Sequence, residues 1–177
     1  MKQRNLGIAA VAVILCFALL NAQDQKALTL KDAMELDKQG RSAEAVEAIT
    51  RIVSQSPGAG NAQAHLSLGM VYFKGGQYDS AIEEFNKAVN ISKGIARAYY
   101  FLGLLYEKKA LGTPDADEAQ AMKRKALESW QNYTVFVDAA QIRPEEGKDI
   151  EMALSEAIRR AGKHIEILKG GLRDENK

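Results

Sequence analysis

The chain has 177 residues, which is enough for one compact domain and a short targeting segment or tail. Its composition, 46% hydrophobic and 27% charged, is that of a folded globular protein and excludes an intrinsically disordered chain. The formal net charge is +1 at pH 7, so the basic excess that nucleic-acid-binding proteins need is missing, and no nucleic-acid partner is predicted. A single cysteine, Cys16, excludes an intramolecular disulfide.

The first 22 residues have the pattern of a secretory signal peptide. Lys2 and Arg4 precede fifteen residues, 6–20, without a charged or amide side chain, and Ala22 follows. This run is shorter than the about 20 apolar residues that cross a bilayer. We therefore predict cleavage after Ala22 and export to the periplasm or the outside of a bacterial cell. An uncleaved inner-membrane anchor and lipid attachment at Cys16 are the alternatives.

Two motifs recur along the rest of the chain. Leu68-Gly69-x-x-Tyr72 returns 34 residues later as Leu102-Gly103-x-x-Tyr106. The second motif is an alanine followed four residues later by a bulky side chain, and it occurs as Ala45–Ile49, Ala81–Phe85 and Ala126–Trp130. Recurrence at a fixed period of this length is the sequence signature of a repeat architecture.

In these motifs the chain resembles the tetratricopeptide repeat family. The resemblance implies an all-α fold, an antiparallel helix-pair solenoid of three repeats with a C-terminal capping helix. The repeats are expected at 26–59, 62–95 and 96–140, the capping helix at 145–169 and a disordered tail at 170–177. Eleven extra residues in the third repeat, between Tyr106 and Ala126, are about three helical turns. Thr113 is expected to cap the second helix of that repeat.

Two further expectations concern packing. Gly69 and Gly103 lie in the middle of helices, where glycine costs about 1 kcal/mol relative to alanine, so they predict close contact between the two helices of a unit. The capping helix carries an apolar stripe that Gly170 and Gly171 are expected to end. We expect this helix to bury three residues of the stripe on the third unit: Leu154, Ile158 and Ile165.

No arrangement of titratable residues points to catalysis. The two histidines lie about a hundred residues apart; His65 is expected to be packed and His164 solvated. Two histidines without a neighbouring cysteine or carboxylate cluster predict no metal site and no cofactor. Acidic pairs such as Glu83-Glu84 are typical of solvated helix faces rather than of acid–base catalysis. The protein is therefore predicted not to be an enzyme.

The resemblance also implies a groove that is lined by the first helix of each unit and binds another protein or a peptide. Nine residues are expected to line it: Leu30, Met34, Leu66, Met70, Phe73, Arg97, Tyr100, Phe101 and Leu104. Such an apolar surface, rich in methionine and aromatic residues, suits an amphipathic helix or an apolar extended segment. Packing of these side chains between units or under residues 145–169 is the alternative.

The predicted function is non-catalytic protein–protein interaction, as an adaptor or assembly factor in the bacterial cell envelope. Two alternatives stay open. One is an accessory or catalytic domain of a cell-wall or secretion enzyme system, which a cluster of titratable groups in a pocket would favour. The other is a scaffold tethered to the membrane by an uncleaved N-terminal anchor, which retention of residues 1–22 would favour.

Overall fold

A computed structural model describes residues 29–55, 60–138 and 150–174. These residues form seven α-helices and, within the same ranges, no strand, so the all-α prediction is confirmed. The helices are α1 (Leu30–Lys38), α2 (Ser42–Gln55), α3 (Gly60–Lys74), α4 (Tyr78–Ile91), α5 (Ala96–Gly112), α6 (Ala116–Phe136) and α7 (Ile150–Asp174). The predicted signal peptide and residues 175–177 of the predicted tail lie outside the described residues. No helix in the described ranges has the length and apolar character to span a membrane.

The first six helices form three successive pairs, α1–α2, α3–α4 and α5–α6. Each second helix also contacts the first helix of the next pair, and α6 contacts α7 in this way. The turns inside the first two pairs share one backbone geometry, because Gly40 and Gly76 have φ angles of 79° and 74°. Glycine enters this region without a steric cost. In both turns a backbone hydrogen bond of 2.9 Å spans the glycine. The N–H of Arg41 donates to the Leu36 carbonyl, and the N–H of Gln77 donates to the Tyr72 carbonyl.

The core consists of two clusters of buried side chains. The smaller cluster joins the first pair to the second through Ala33, Ala48, Ile49, Ala64, Leu68 and Val71. The larger cluster runs through α4, α5 and α6 to α7, and its largest fully buried side chains are Trp130 and Phe85. Burial on this scale contributes about 1.5–3 kcal/mol for each large apolar side chain.

Close contact within the helix pairs is confirmed at both mid-helix glycines. A Cβ atom on Gly69 would lie 2.7 Å from the ring of Phe85, and one on Gly103 would lie 2.6 Å from the ring of Trp130. Because each glycine has no side chain, an aromatic ring of the second helix can occupy the space above it.

The extra residues of the third unit lengthen both of its helices. α3 ends two residues after Tyr72, whereas α5 ends six residues after Tyr106. α4 begins three residues before Ala81, whereas α6 begins ten before Ala126. The differences, four and seven residues, add up to the eleven extra residues and correspond to about one turn of α5 and two turns of α6.

The predicted cap at Thr113 is wrong. The Asp115 side chain accepts from the backbone N–H of Glu118 at 2.7 Å and begins α6. The Thr113 hydroxyl instead donates to the Lys109 carbonyl at 2.8 Å, at the end of α5. Both residue types cap helices well, and the turn places Asp115 rather than Thr113 next to the free N–H groups.

The capping helix differs from the prediction in length and in rotation. α7 continues through Gly170 and Gly171 to Asp174, and Leu172 is still half-buried there, one turn beyond Leu168. The helix therefore includes residues 170–174 of the predicted tail. Ile158 is 40% exposed, so the prediction that it is buried is wrong. The most buried residues of α7 are Ala161 and Leu168, while Leu154 and Ile165 are half-buried.

Candidate protein-interaction surface

The structure places the nine predicted groove residues on the first helices of the three pairs. Leu30 and Met34 lie on α1, three residues lie on α3, and four lie on α5. The prediction that Leu66 lines the groove is wrong. Leu66 is only 3% exposed and belongs to the larger core cluster. Tyr100 is 38% exposed and Arg97 is exposed. The other apolar members on α3 and α5 are half-buried against the core: Met70, Phe73, Phe101 and Leu104.

Phe101 is the centre of a group of aromatic contacts between the second and third pairs. Its ring centroid lies 5.0 Å from that of Phe73, 5.2 Å from that of Phe85 and 5.5 Å from that of Tyr100. Rings at these distances attract each other beyond the effect of buried area alone. Tyr100 also packs edge-on against Trp130 at 5.4 Å. Phe85 and Trp130 are fully buried, whereas Phe73, Tyr100 and Phe101 pack between the units and stay partly exposed.

Charged groups near this surface are paired. The carboxylate of Asp37 lies 2.5 Å from the Lys74 ammonium, and this ion pair joins α1 to α3. The same carboxylate lies 2.8 Å from the Ser42 hydroxyl of α2. Burial alone would raise the pKa of Asp37, but the hydrogen bonds from Lys74 and Ser42 outweigh it and the pKa is lowered. Asp37 is therefore ionised at neutral pH, and its charge is used within the protein.

The lengthened end of α5 leans over the beginning of α4. The Lys108 ammonium lies 4.7 Å from the centre of the Tyr78 ring, a cation–π contact. The Lys109 ammonium lies 2.7 Å from the Asp79 carboxylate, and this ion pair raises the pKa of Lys109. Lys109 is the first residue of the extra turn of α5, so this turn adds an ion pair between the second and third units.

His164 is packed, so the prediction that it is solvated is wrong. Its ring stacks on Trp130 with centroids 4.4 Å apart and an angle of 18° between the planes. Its Nδ1 lies 2.9 Å and 3.0 Å from the two carboxylate oxygens of Glu107, which also accepts a 2.8 Å hydrogen bond from Trp130 Nε1. The spacing of His164 from Ala161 and Leu168, three and four residues, puts all three on one helix face, and this was the signal that could have found it.

His65 is packed, as predicted. Its Nδ1 lies 2.6 Å from the Glu84 carboxylate, and both side chains are nearly buried. Lys87 also contacts Glu84 at 2.8 Å, so this carboxylate has two partners. Both histidines of the chain therefore join a helix of the fold to a glutamate on a neighbouring helix.

Two kinds of site would favour catalysis by the described residues, a metal-binding cluster and a cavity with paired carboxylates. Within 29–55, 60–138 and 150–174, no three His, Cys, Asp or Glu side chains are placed to hold a metal ion. A cavity of about 420 Å³ lies between α4, α5 and α6, and its lining has one carboxylate, Glu128, and no histidine. Acid–base catalysis by two carboxylates needs a pair of these groups, and the lining of this cavity has only one.

Stacked helix pairs, two of them with a glycine under an aromatic ring, define a helical-repeat protein. Residues 69–109 match the family model described as the TPR repeat, so the predicted resemblance to tetratricopeptide repeats is confirmed in this stretch. A crystal structure of MamA is similar over 93% of this chain and 93% of its own, with 22% sequence identity and a TM-score of 0.46. No curated protein matches the chain. Tetratricopeptide repeats generally serve as scaffolds that bind proteins or peptides, and the match supports this general class of function.

Proposed function

We propose that this protein is a non-catalytic interaction module that binds an apolar or amphipathic segment of another protein. The binding surface is formed by α1, α3 and α5. The observation that supports it most is the partial exposure of Tyr100, Met70, Phe73 and Leu104 on neighbouring first helices. Exposed apolar side chains that lie together mark interaction sites, and an amphipathic helix in an apolar groove is a recurring mode of recognition.

The proposal is tested with a displayed library of random 15-residue segments that is selected on the immobilised protein. Segments that bind are then measured against the variant Met70→Gln/Tyr100→Ser. Phe73 is left unchanged, because it is more buried than Tyr100. Tyr100 also packs on Phe101 and Trp130, so the melting temperature of the variant is measured beside its affinity. An aromatic hot spot contributes about 2 kcal/mol, so we expect the dissociation constant to rise by about 30-fold or more.

A matched control for this experiment is Val135→Ser. Val135 is 71% exposed and lies on α6, away from the first helices. It should leave both the melting temperature and the affinity unchanged. Equal affinity of the wild type and the Met70→Gln/Tyr100→Ser variant, at equal stability, would contradict the proposed surface.

We further propose that the protein acts outside the cytoplasm of a bacterial cell, as an adaptor or assembly factor in the envelope. The support is the N-terminal order of Lys2, Arg4 and the apolar residues 6–20. The intact mass of the protein from the periplasm of an expressing bacterium tests this. A chain that begins at Gln23 is expected, whereas a membrane-bound chain that retains Met1 would favour the tethered scaffold.

A further inference from the structure

The last helix repeats the pattern of the first helices before it. α3 contains Leu68-Gly69-x-x-Tyr72, α5 contains Leu102-Gly103-x-x-Tyr106, and α7 contains Ala161-Gly162-x-x-Ile165. An alanine stands four residues before the first position in each helix, at Ala64, Ala98 and Ala157. The three helices therefore place a small residue, an apolar residue and a glycine at the same relative positions.

The face of α7 that contacts α6 is buried in the same way as in the earlier first helices. Leu68 and Leu102 are buried against the preceding pair, and their counterpart Ala161 is 1% exposed. Val71 and Leu105 are buried three residues later, and their counterpart His164 stacks on Trp130 of α6. α7 thus contacts the third unit as α5 contacts the second, and it has the position of the first helix of a fourth unit.

Within the described residues, the other face of α7 is uncovered. In α3 and α5 the ring of Phe85 or Trp130 from the second helix lies over the glycine. No atom of the described residues lies within 4 Å of a Cβ built on Gly162. Ile158, at the position of Tyr99 in α5, is 40% exposed, whereas Tyr99 is buried. The residues that a second helix covers in the other units are uncovered here.

We propose that this open face binds an α-helix of a partner protein, which takes the place of the second helix of a fourth unit. The interface continues the packing that the α3–α4 and α5–α6 pairs already show, so the partner helix runs antiparallel to α7. This surface is separate from the one formed by α1, α3 and α5, and it does not depend on it.

The chemistry of the partner follows from the two helices that cover the equivalent glycines. α4 presents Ala81 and, four residues later, Phe85, while α6 presents Ala126 and Trp130. The alanines are fully buried, which lets the helices approach closely, and the aromatic ring fills the space above the glycine. The partner helix therefore carries a small residue and an aromatic residue four positions later. α7 contains no Phe, Trp or Tyr, so α7 of a second copy cannot supply that ring.

The test uses the full chain and a fluorescein-labelled synthetic peptide with the sequence of residues 116–136, which carries the Ala126–Trp130 pattern. Fluorescence anisotropy gives its dissociation constant for the wild type. We expect saturable binding that weakens at least tenfold when the peptide carries Trp130→Ala.

Two protein variants locate the binding site. Gly162→Leu fills the space above the glycine and should weaken peptide binding at least tenfold. Gly170→Leu is the matched control, because Gly170 lies in the same helix, also has nothing outside its own turn of helix within 4 Å of an added Cβ, and lies about 12 Å further along the helix axis than Gly162. It should leave binding unchanged, and circular dichroism of both variants checks that they fold.

Three outcomes would overturn the proposal. They are the absence of binding to the wild type, equal binding of the Trp130→Ala peptide, and unchanged binding to Gly162→Leu. Sedimentation of the wild type and of Gly162→Leu tests whether two copies of this chain associate through the same face. A dimer that Gly162→Leu dissociates would show that a second copy, rather than a partner helix, covers this face.

Discussion

Gly69 and Gly103 occupy the same motif position as Gly162 but have a different environment. The first two lie under aromatic rings of α4 and α6, and the third has open space above it. The backbone is helical at all three positions. The motif therefore determines how a first helix packs on the preceding unit, while a separate helix must cover its other face.

The comparison also gives the energetic role of these glycines. A glycine in the middle of a helix costs about 1 kcal/mol relative to alanine. At Gly69 and Gly103 the packing of an aromatic ring offsets this cost. At Gly162 nothing in the described part of the chain does so, and the two groups of glycines should respond to substitution with opposite signs.

The largest effect is expected from removal of α7, which leaves the third unit without a covering helix. A chain that ends after Asp138 loses the burial of Ala161 and Leu168 and exposes the Trp130 side of α6. Several apolar side chains contribute to this interface, so we expect a loss of several kcal/mol. Thermal unfolding followed by circular dichroism and light scattering should show a lower melting temperature or aggregation. A shortened chain as soluble and stable as the parent would show that α7 does not stabilise the stack.

Gly103→Ala tests the covered position. The new Cβ would lie 2.6 Å from the Trp130 ring, which is too close without a shift of the ring. Overpacking of this kind costs about 1–3 kcal/mol, and the higher helix propensity of alanine recovers about 1 kcal/mol. We expect a net loss of up to about 2 kcal/mol in urea unfolding. The double variant Gly103→Ala/Trp130→Phe should lose less stability than the sum of the losses of the two single variants. Strict additivity would argue against a steric contact.

His164→Ala tests the contact between α7 and the third unit at a single residue. The variant loses the stacking on Trp130 and the hydrogen bond to Glu107, while Trp130 Nε1 keeps Glu107 as its acceptor. Because the His164 side chain is 36% exposed, the charge interaction is screened, and we expect a loss of about 1 kcal/mol, mostly from the ring contact. A double-mutant cycle with Glu107→Gln measures the hydrogen bond separately. Unchanged unfolding of His164→Ala would show that the stacking contributes nothing.

The recurring motifs made the helix pairs predictable, because their spacing determines which side chains meet. The Leu-Gly-x-x-Tyr and Ala-x-x-x-bulky motifs predicted close packing of the two helices at Gly69 and Gly103, and the structure shows that the rings of Phe85 and Trp130 make these contacts. The position of each helix in the stack followed from the 34-residue period. Local signals were enough here, since these contacts lie within one unit.

Features that depend on two units were less predictable. Leu66 has the spacing of a groove residue, but it is buried in the larger core cluster, which extends over the second and third units. Ile158 and Ala161 both belong to the apolar stripe of α7, and only the position of α6 decides that Ala161 is buried. The division of the eleven extra residues between α5 and α6 depends on where the turn at 113–115 forms. The apolar periodicity of a helix predicts which of its faces is buried, but it does not predict the angle at which the neighbouring helix crosses it.

The smallest expected effect is at the open position and has the opposite sign. Gly162→Ala adds a methyl group where nothing lies within 4 Å, so it should stabilise the protein by up to about 1 kcal/mol. Urea unfolding of Gly162→Ala and Gly170→Ala, side by side with the wild type, measures this gain. Equal gains mean that helix propensity alone acts at both sites. A loss at Gly162 with a gain at Gly170 would mean that a side chain already covers Gly162, and the open face would then be contradicted. If both gains are found, the glycine at 162 lowers the stability of the isolated protein, as expected where the ring of a bound helix needs the space.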